Sequence, residues 1–302
     1  MRTTLGTALW RWASMKHSLF SPSPAFRLAL LMAPVLLAPS FTALRAQGGP
    51  QPPPPLMMFY REEVKPGHGA AHAATEAAWG RILAKGKATE HYLGMSSLTG
   101  PSEAWFIMGY GSYADWEAKH NEGDSNPALK KEIDAISLKD GDHLGGTRSF
   151  LGTLRKDLSY GPPVEIGKMR YMRVRTFRIK QGMGRAFEDG VKMALTAYEK
   201  SHFPASFAFY EVEAGTWSPT FVVLRPMKSL ADMDAMEAAN KSFLDALGEE
   251  GQKAMQKTFM DTVNGVENQL FAFSPKLSYP NSDVIASDPA FWAPKPPKEP
   301  AK

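Results

Sequence analysis

His68, His72 and Glu76 stand four residues apart in the stretch 64–79, VKPGHGAAHAATEAAW. The stretch reads as a glycine turn followed by a helix, and residues four apart share one stripe of a helix. Imidazole and carboxylate on one stripe can chelate a metal, move a proton or hold a polar ligand. Helix stripes that face a core are normally apolar, so the first question is whether this one turns inward.

An internal repeat bears on that question. Val64-Lys65-Pro66-Gly67-His68-Gly69 matches Ile179-Lys180-Gln181-Gly182-Met183-Gly184 at a shift of 115, and Ser112-Tyr113-Ala114-Asp115-Trp116 matches Ser229-Leu230-Ala231-Asp232-Met233 at a shift of 117. A period this long indicates a duplicated domain rather than a solenoid. Under the first shift His68 falls on Met183, His72 on Phe187, Glu76 on Val191 and Trp79 on Ala194. The apolar stripe of the second copy must press on its sheet, so His72 and Glu76 are expected to point inward too.

The elements that must position them repeat as well. Each copy reads as a strand (57–64; 172–179), a helix (68–85; 183–200), a hairpin (90–97 with 103–110; 205–213 with 219–225), more helix (112–120 and 127–137; 229–262, broken near Gly248) and a closing strand (148–155; 267–273). Alternation in Ser206-Phe207-Ala208-Phe209-Tyr210 and the run Thr220-Phe221-Val222-Val223 carry the strand signal. The order βαββαβ is an α+β fold, a split pair of βαβ units with an antiparallel sheet. One such sheet covers a single face with its helices. Large side chains on both faces of the strands, Phe59 and Tyr60 or Phe207 and Tyr210, call for a second cover.

Val174–Gly182 (VRTFRIKQG) resembles the opening strand and turn of NIPSNAP-type domains. These belong to the dimeric α/β-barrel superfamily, together with the antibiotic-biosynthesis-type monooxygenases. Val64–Gly67 resembles the same turn, and Ser112–Trp116 resembles the start of the second family helix. The resemblance implies two tandem ferredoxin-like units that pair their sheets into one dimeric-α/β-barrel-type domain within a single chain. The expected divisions are a signal peptide at 1–46, a Pro/Gly linker at 47–56, unit 1 at 57–156, a linker at 157–168, unit 2 at 169–274 and a Pro-rich tail at 275–302. The tail is expected to be extended or disordered, with local docking of Phe291 and Trp292.

Buried His and Glu need partners. If Val174, Thr176 and Arg178 face the helices, then Phe59, Arg61 and Glu63 do so in the first copy. Arg61 and Glu63 then answer His72 and Glu76; a slip of one residue substitutes Tyr60 and Glu62. Three readings stay open: a structural polar cluster, a ligand or catalytic pocket, and a metal site. No distant fourth ligand is evident, and nothing in the spacing requires His91 or His143, so no metal is assigned. The resemblance implies a cavity near sheet and helices lined by histidine and aromatic residues. The candidate ligand-binding residues are therefore His72, Glu76, Arg61, Trp79, Trp105 and Tyr110. No catalytic signature of the family transfers, so catalytic residues and cofactor are left unassigned. Arg173 and Arg175 share a face with Phe177 and are expected on the barrel side, binding an anion or pairing with Glu62.

Composition sets the compartment. Residues 1–46 hold Arg2, Arg11, Lys16, Arg27 and Arg45 and no acidic residue, and Leu28–Leu37 (LALLMAPVLL) is apolar. A basic start, a short apolar run and a small-residue exit describe a secretory signal. The run is too short for a transmembrane helix of about 20 residues, and Met15 is an alternative start. The whole chain is +4 and this segment carries five positive charges, so the remainder is −1. Overall charge therefore gives no reason to expect nucleic-acid binding. With no cysteine, thiolate metal sites, thiol nucleophiles and disulfides are excluded. No P-loop, dinucleotide fingerprint or G-x-S-x-G elbow occurs.

The expectation is an exported, periplasmic or secreted protein, monomer or homodimer, that binds a small molecule between helix and sheet of unit 1. The alternatives are a cofactor-independent oxygenase or haem-handling enzyme, with His72 as acid/base or ligand, and a non-enzymatic interaction protein.

Overall fold

The computed structural model describes residues 49–122 and 125–293. The segment read as an export signal and the end of the tail lie outside the described residues. The strands are β1 (Leu56–Val64), β2 (Leu93–Ser97), β3 (Glu103–Tyr110), β4 (Leu144–Leu154), β5 (Tyr171–Ile179), β6 (Ala208–Ala214), β7 (Thr220–Met227) and β8 (Val263–Phe273). The helices are α1 (Gly69–Gly86), α2 (Tyr113–His120), α3 (Pro127–Gly141), α4 (Gly184–Lys200), α5 (Ala231–Thr262), α6 (Ser282–Ser287) and α7 (Pro289–Trp292). No helix among the described residues is long and apolar enough to cross a membrane.

The eight strands close into an antiparallel barrel in the order β1-β3-β2-β8-β5-β7-β6-β4. Read as two halves, the order is β4-β1-β3-β2 and then β8-β5-β7-β6, joined at the β2–β8 and β4–β6 seams. Closure removes every sheet edge. Turn chemistry agrees between the halves. Gly67 (φ +82°) and Gly182 (φ +78°) both hold the left-handed conformation that ends the first strand and opens the first helix, where a Cβ would be strained. Helix α5 bends at Gly248, as expected, through a non-helical φ/ψ of 68°/169°. β4 and β8 begin earlier than expected. Residues 144–149 are mostly exposed and rich in Gly, Thr and Ser, so they carry no apolar alternation to announce a strand.

The core sits inside the barrel, where Phe59, Trp105, Phe150, Tyr210 and Phe271 interlock with Met172, Val174 and Val222. Outside it, α4 and α5 cover β5, β6 and β7 through Phe177, Phe187, Phe209, Phe221 and Phe243. On the first half, Val64, Ala104, Phe106 and Leu277 form a smaller outer cluster.

This corrects the expected register. Phe59 and Arg61 face the barrel interior, while Glu62 and Val64 face the helices. Likewise Met172 and Val174 point inward, and Arg173, Arg175 and Phe177 lie on the helix side. Helices and barrel interior cover opposite faces of most strands, so period-2 alternation cannot tell one from the other. The interior, enclosed by all eight strands, holds Trp105 and Tyr210 among the fully buried side chains.

The tail is built into the molecule over the described residues. A 3₁₀ turn at Pro275–Leu277 lies across β2 and α1, and Tyr92 and Tyr279 bridge. Helices α6 and α7 follow. Trp292 is buried against Phe273 at the barrel end and donates from Nε1 to the Gly167 carbonyl at 2.6 Å. Arg170 pairs with Asp288 and stacks over Phe291. The linker is ordered from residue 49: Gln51 bridges Val164, and the Tyr210 hydroxyl donates to the Pro54 carbonyl at 2.9 Å.

Candidate functional site

Two polar constellations lie between sheet and helices, one in each half. The first contains the stripe of α1. His72 and Glu76 both point inward, 2% and 4% exposed, toward Glu62 of β1 and Asp140 of α3, 6% and 4% exposed. His72 Nε2 is 2.7 Å from Glu62 Oε2 and 4.0 Å from Asp140 Oδ1. With the Glu62 carboxylate accepting, that nitrogen carries the proton. The Thr75 hydroxyl donates to Asp140. One donor atom from each of Glu62, His72, Glu76 and Asp140 falls within 4.8 Å of all the others. Burial pushes the Glu76 carboxyl up to about 9, and the neighbouring Glu62 and Asp140 add to that. Burial also raises Glu62, partly offset by its bond to His72.

The partner proposed for His72 from the first register was Arg61; the structure supplies Glu62. Arg61 turns into the barrel, where Nη2 bonds Glu103 at 2.9 Å and Nη1 bonds Glu267 of β8 at 3.2 Å. Its guanidinium lies 4.4 Å over the Trp105 ring, and Trp105 Nε1 donates to Glu103 Oε2 at 2.8 Å. Burial raises Glu103, but the bonds from Trp105, Gln269 and Arg61 outweigh it and hold the carboxyl below its usual range. Arg61 and Trp105 therefore form an interior ion-pair and stacking cluster, separate from His72 and Glu76. Tyr110 lies elsewhere again, in an outer cluster with Leu56 and Leu151, its hydroxyl bonded to Glu90. Trp79 is half-buried on α1. His68 meets His143 across 3.1 Å between Nδ1 atoms, and His91 stacks on Tyr279, so none of the three reaches the cluster.

Asp140 went unnoticed in the sequence. It continues the stripe of Leu129 and Ile136 on α3, all buried. A polar residue on an apolar stripe was the same signal that singled out His72.

The second constellation lies outside β5, β6 and β7, under α4 and α5. There a cavity of about 600 Å³ is walled by Phe187, Phe207, Phe243, Tyr198, Val191 and Ala194, with Arg173, Arg175 and Arg225 on its strand side. These arginines have no carboxylate ion pair among the described residues. Arg173 donates from Nε to Asn268 Oδ1 at 3.1 Å, Arg225 Nη1 meets Met236 Sδ at 3.1 Å, and Arg225 lies 5.1 Å from the Phe207 ring centroid. Burial holds Arg175 below its usual range, and Arg173 and Arg225 push it the same way. Burial likewise lowers Arg225. Arg173 and Arg175 were expected on the barrel side, where Glu62 was one possible partner. They lie on the helix side of the other half, away from Glu62.

Strand pairing relates the two constellations. Met58 pairs with Met108 in the first half as Arg173 pairs with Arg225 in the second, and Glu62 pairs with Ala104 as Phe177 pairs with Phe221. Where one half places Glu62, His72 and Glu76, the other places Phe177, Phe187 and Val191. Where one places Met58, Tyr60 and Met108, the other places three arginines. The Pro275–Leu277 turn and the following Ser278 fill the space over α1 and β2. In the second half the corresponding space stays open as the cavity.

No family model and no curated protein matches the sequence. Solved structures resemble it. A Fusobacterium nucleatum protein provisionally assigned as a monooxygenase is 12% identical, with a TM-score of 0.49 over 74% of this chain and 94% of that chain. An anthrone oxidase-like protein is 10% identical, with 0.44 over 72% and 90%. A chlorite dismutase mutant from Candidatus Nitrospira defluvii is 10% identical, with 0.46 over 74% and 94%. The strand pairing described above, rather than these scores, establishes the α/β-barrel architecture.

Proposed function

We propose that the protein binds an amphipathic organic anion in the cavity between β5, β6, β7 and helices α4 and α5. The carrying observation is the placement of Arg173, Arg175 and Arg225 on the wall of a cavity of about 600 Å³, with no carboxylate among the described residues to neutralise them. Guanidinium groups recognise carboxylate or phosphate through paired hydrogen bonds. The aromatic wall of Phe187, Phe207 and Phe243 suits an apolar body, and the volume lies in the range of small-molecule sites. An unpaired cationic cluster beside a greasy wall is costly until an anion arrives, which selects for charge and apolar surface together.

The setting is read as a tandem duplication of a ferredoxin-like unit of NIPSNAP type, exported from the cytoplasm. Support for the duplication comes from the two glycine turns, the repeated strand order and the matching pairs Met58–Met108 and Arg173–Arg225. Support for export is the basic and apolar character of residues 1–46.

A second reading places oxygenase or haem-handling chemistry in the same cavity. Tyr198, Met255 and Met260 line it, and phenolate and thioether are iron ligands in haem proteins. No histidine lines it among the described residues, so His72 has no part in this reading. A Soret band in the purified protein would favour it.

The test uses dodecanoate and dodecanol, which match in chain length and differ in charge. Calorimetric titration is expected to show one dodecanoate per chain, bound at least tenfold more tightly than dodecanol. Equal affinities, or no binding of either, would contradict the reading.

A further inference from the structure

We infer that Glu62, His72, Glu76 and Asp140 form a binding site for one divalent first-row transition cation, which clamps α1 and α3 onto β1. Four potential ligands from three elements converge with donor atoms within 4.8 Å of one another, all buried. A tetrahedral shell with bonds of about 2.0–2.2 Å separates its donors by about 3.4 Å, so the His72–Glu62 pair, now at 2.7 Å, opens and the wider separations, up to 4.8 Å, close to complete it. Ionised together, the three carboxylates outweigh a protonated imidazole, and such a charge is not buried without compensation.

Protons alone satisfy this cluster poorly. His72 answers Glu62, and Thr75 answers Asp140. Glu76, a residue only 4% exposed, has no hydrogen bond from its carboxyl among the described residues. A neutral acid there must reach Glu62 or Asp140 to find an acceptor, whereas one cation gives the lone pairs of all four groups a shared partner. Mixed imidazole and carboxylate donors suit zinc, iron(II) or manganese(II) better than copper(I) or calcium. On binding, His72 Nε2 exchanges its proton for the metal. Four protein ligands with no open position describe a structural centre. The second half makes the corresponding contact with Phe177, Phe187 and Val191, so metal in one half does the fastening that apolar packing does in the other.

The test is metal content and metal-dependent stability of the full chain. Protein purified without chelator is expected to carry close to one equivalent of metal by inductively coupled plasma mass spectrometry. Stripping with EDTA should lower the melting midpoint, and zinc or manganese at a hundredfold excess over Kd should restore it by about 5–10 °C. Glu76→Gln, close in shape but neutral, should lose the metal. The double variant His72→Phe with Glu76→Val copies the second half and should melt at a temperature that neither EDTA nor metal changes. Wild-type protein free of metal, with no shift on adding zinc or manganese, would overturn the inference whatever the variants do.

Discussion

His72 Nε2 lies 2.7 Å from the carboxylate of Glu62, while Arg61, one residue earlier on the same strand, points through the sheet to Glu103 on the other side. Adjacent strand residues thus serve two chemically separate clusters, one under a helix and one inside the barrel. A mutation at either position should be felt on its own side.

Glu103 carries the interior cluster, and its substitution has a defined pH signature. Its folded-state pKa is depressed by the bonds from Trp105, Gln269 and Arg61. Its contribution is therefore present above the unfolded glutamate value, about 4.3, and is lost as pH falls through the lower folded value. Glu103→Gln should cost about 1–3 kcal/mol at pH 7, measured by urea denaturation. The gap to wild type should close below pH 4. A gap that stayed constant with pH would assign the loss to packing alone.

Trp292 tests the ordered tail. It is buried against the barrel-end cluster and bonded to Gly167, so Trp292→Ala should cost about 3–5 kcal/mol in the same urea measurement. Gly94→Val should act at the other contact, because any Cβ at Gly94 would lie 2.2 Å from the Leu277 carbonyl oxygen. Protease sensitivity after residue 274 should rise in that variant. Resistance equal to wild type would mean the tail tolerates displacement.

Filling the cavity separates binding from folding. Ala194 lies on its wall, so Ala194→Phe should abolish dodecanoate binding at a stability cost of no more than about 1–3 kcal/mol, read by calorimetry and urea melts together. Undiminished binding in a folded variant would place the ligand elsewhere.

Element order and most boundaries were readable because glycine turns, apolar stripes and the internal sequence match all pointed one way. Which face of a strand turns inward was not, because helices cover one face and the barrel covers the other. That single ambiguity misplaced Arg61 and the Arg173–Arg175 pair. The sequence match at a shift of 115 did orient the α1 stripe, since Phe187 and Val191 lie toward the sheet as His72 and Glu76 do. Asp140 and Arg225 reach their clusters only through tertiary contact. Asp140 arrives from a helix distant in sequence, marked only as a polar residue on the apolar stripe of Leu129 and Ile136, and Arg225 arrives through pairing with Arg173, with no signal of its own. In the tail the docking of Trp292 was expected, but the turn at Pro275–Leu277 and helix Ser282–Ser287 were not, because proline content argues for extension while the seat of Leu277 depends on barrel surfaces built by residues far upstream.

The account assigns anion binding to one half and metal binding to the other, and one set of titrations separates them. Dodecanoate should bind wild type and the His72→Phe, Glu76→Val variant with the same affinity. The Arg175→Gln, Arg225→Gln variant should bind at least tenfold more weakly, a loss of about 1.4 kcal/mol or more. If the arginine variant bound like wild type, or if the first-half variant lost the ligand instead, the assignment of the anion site to the second half would be wrong.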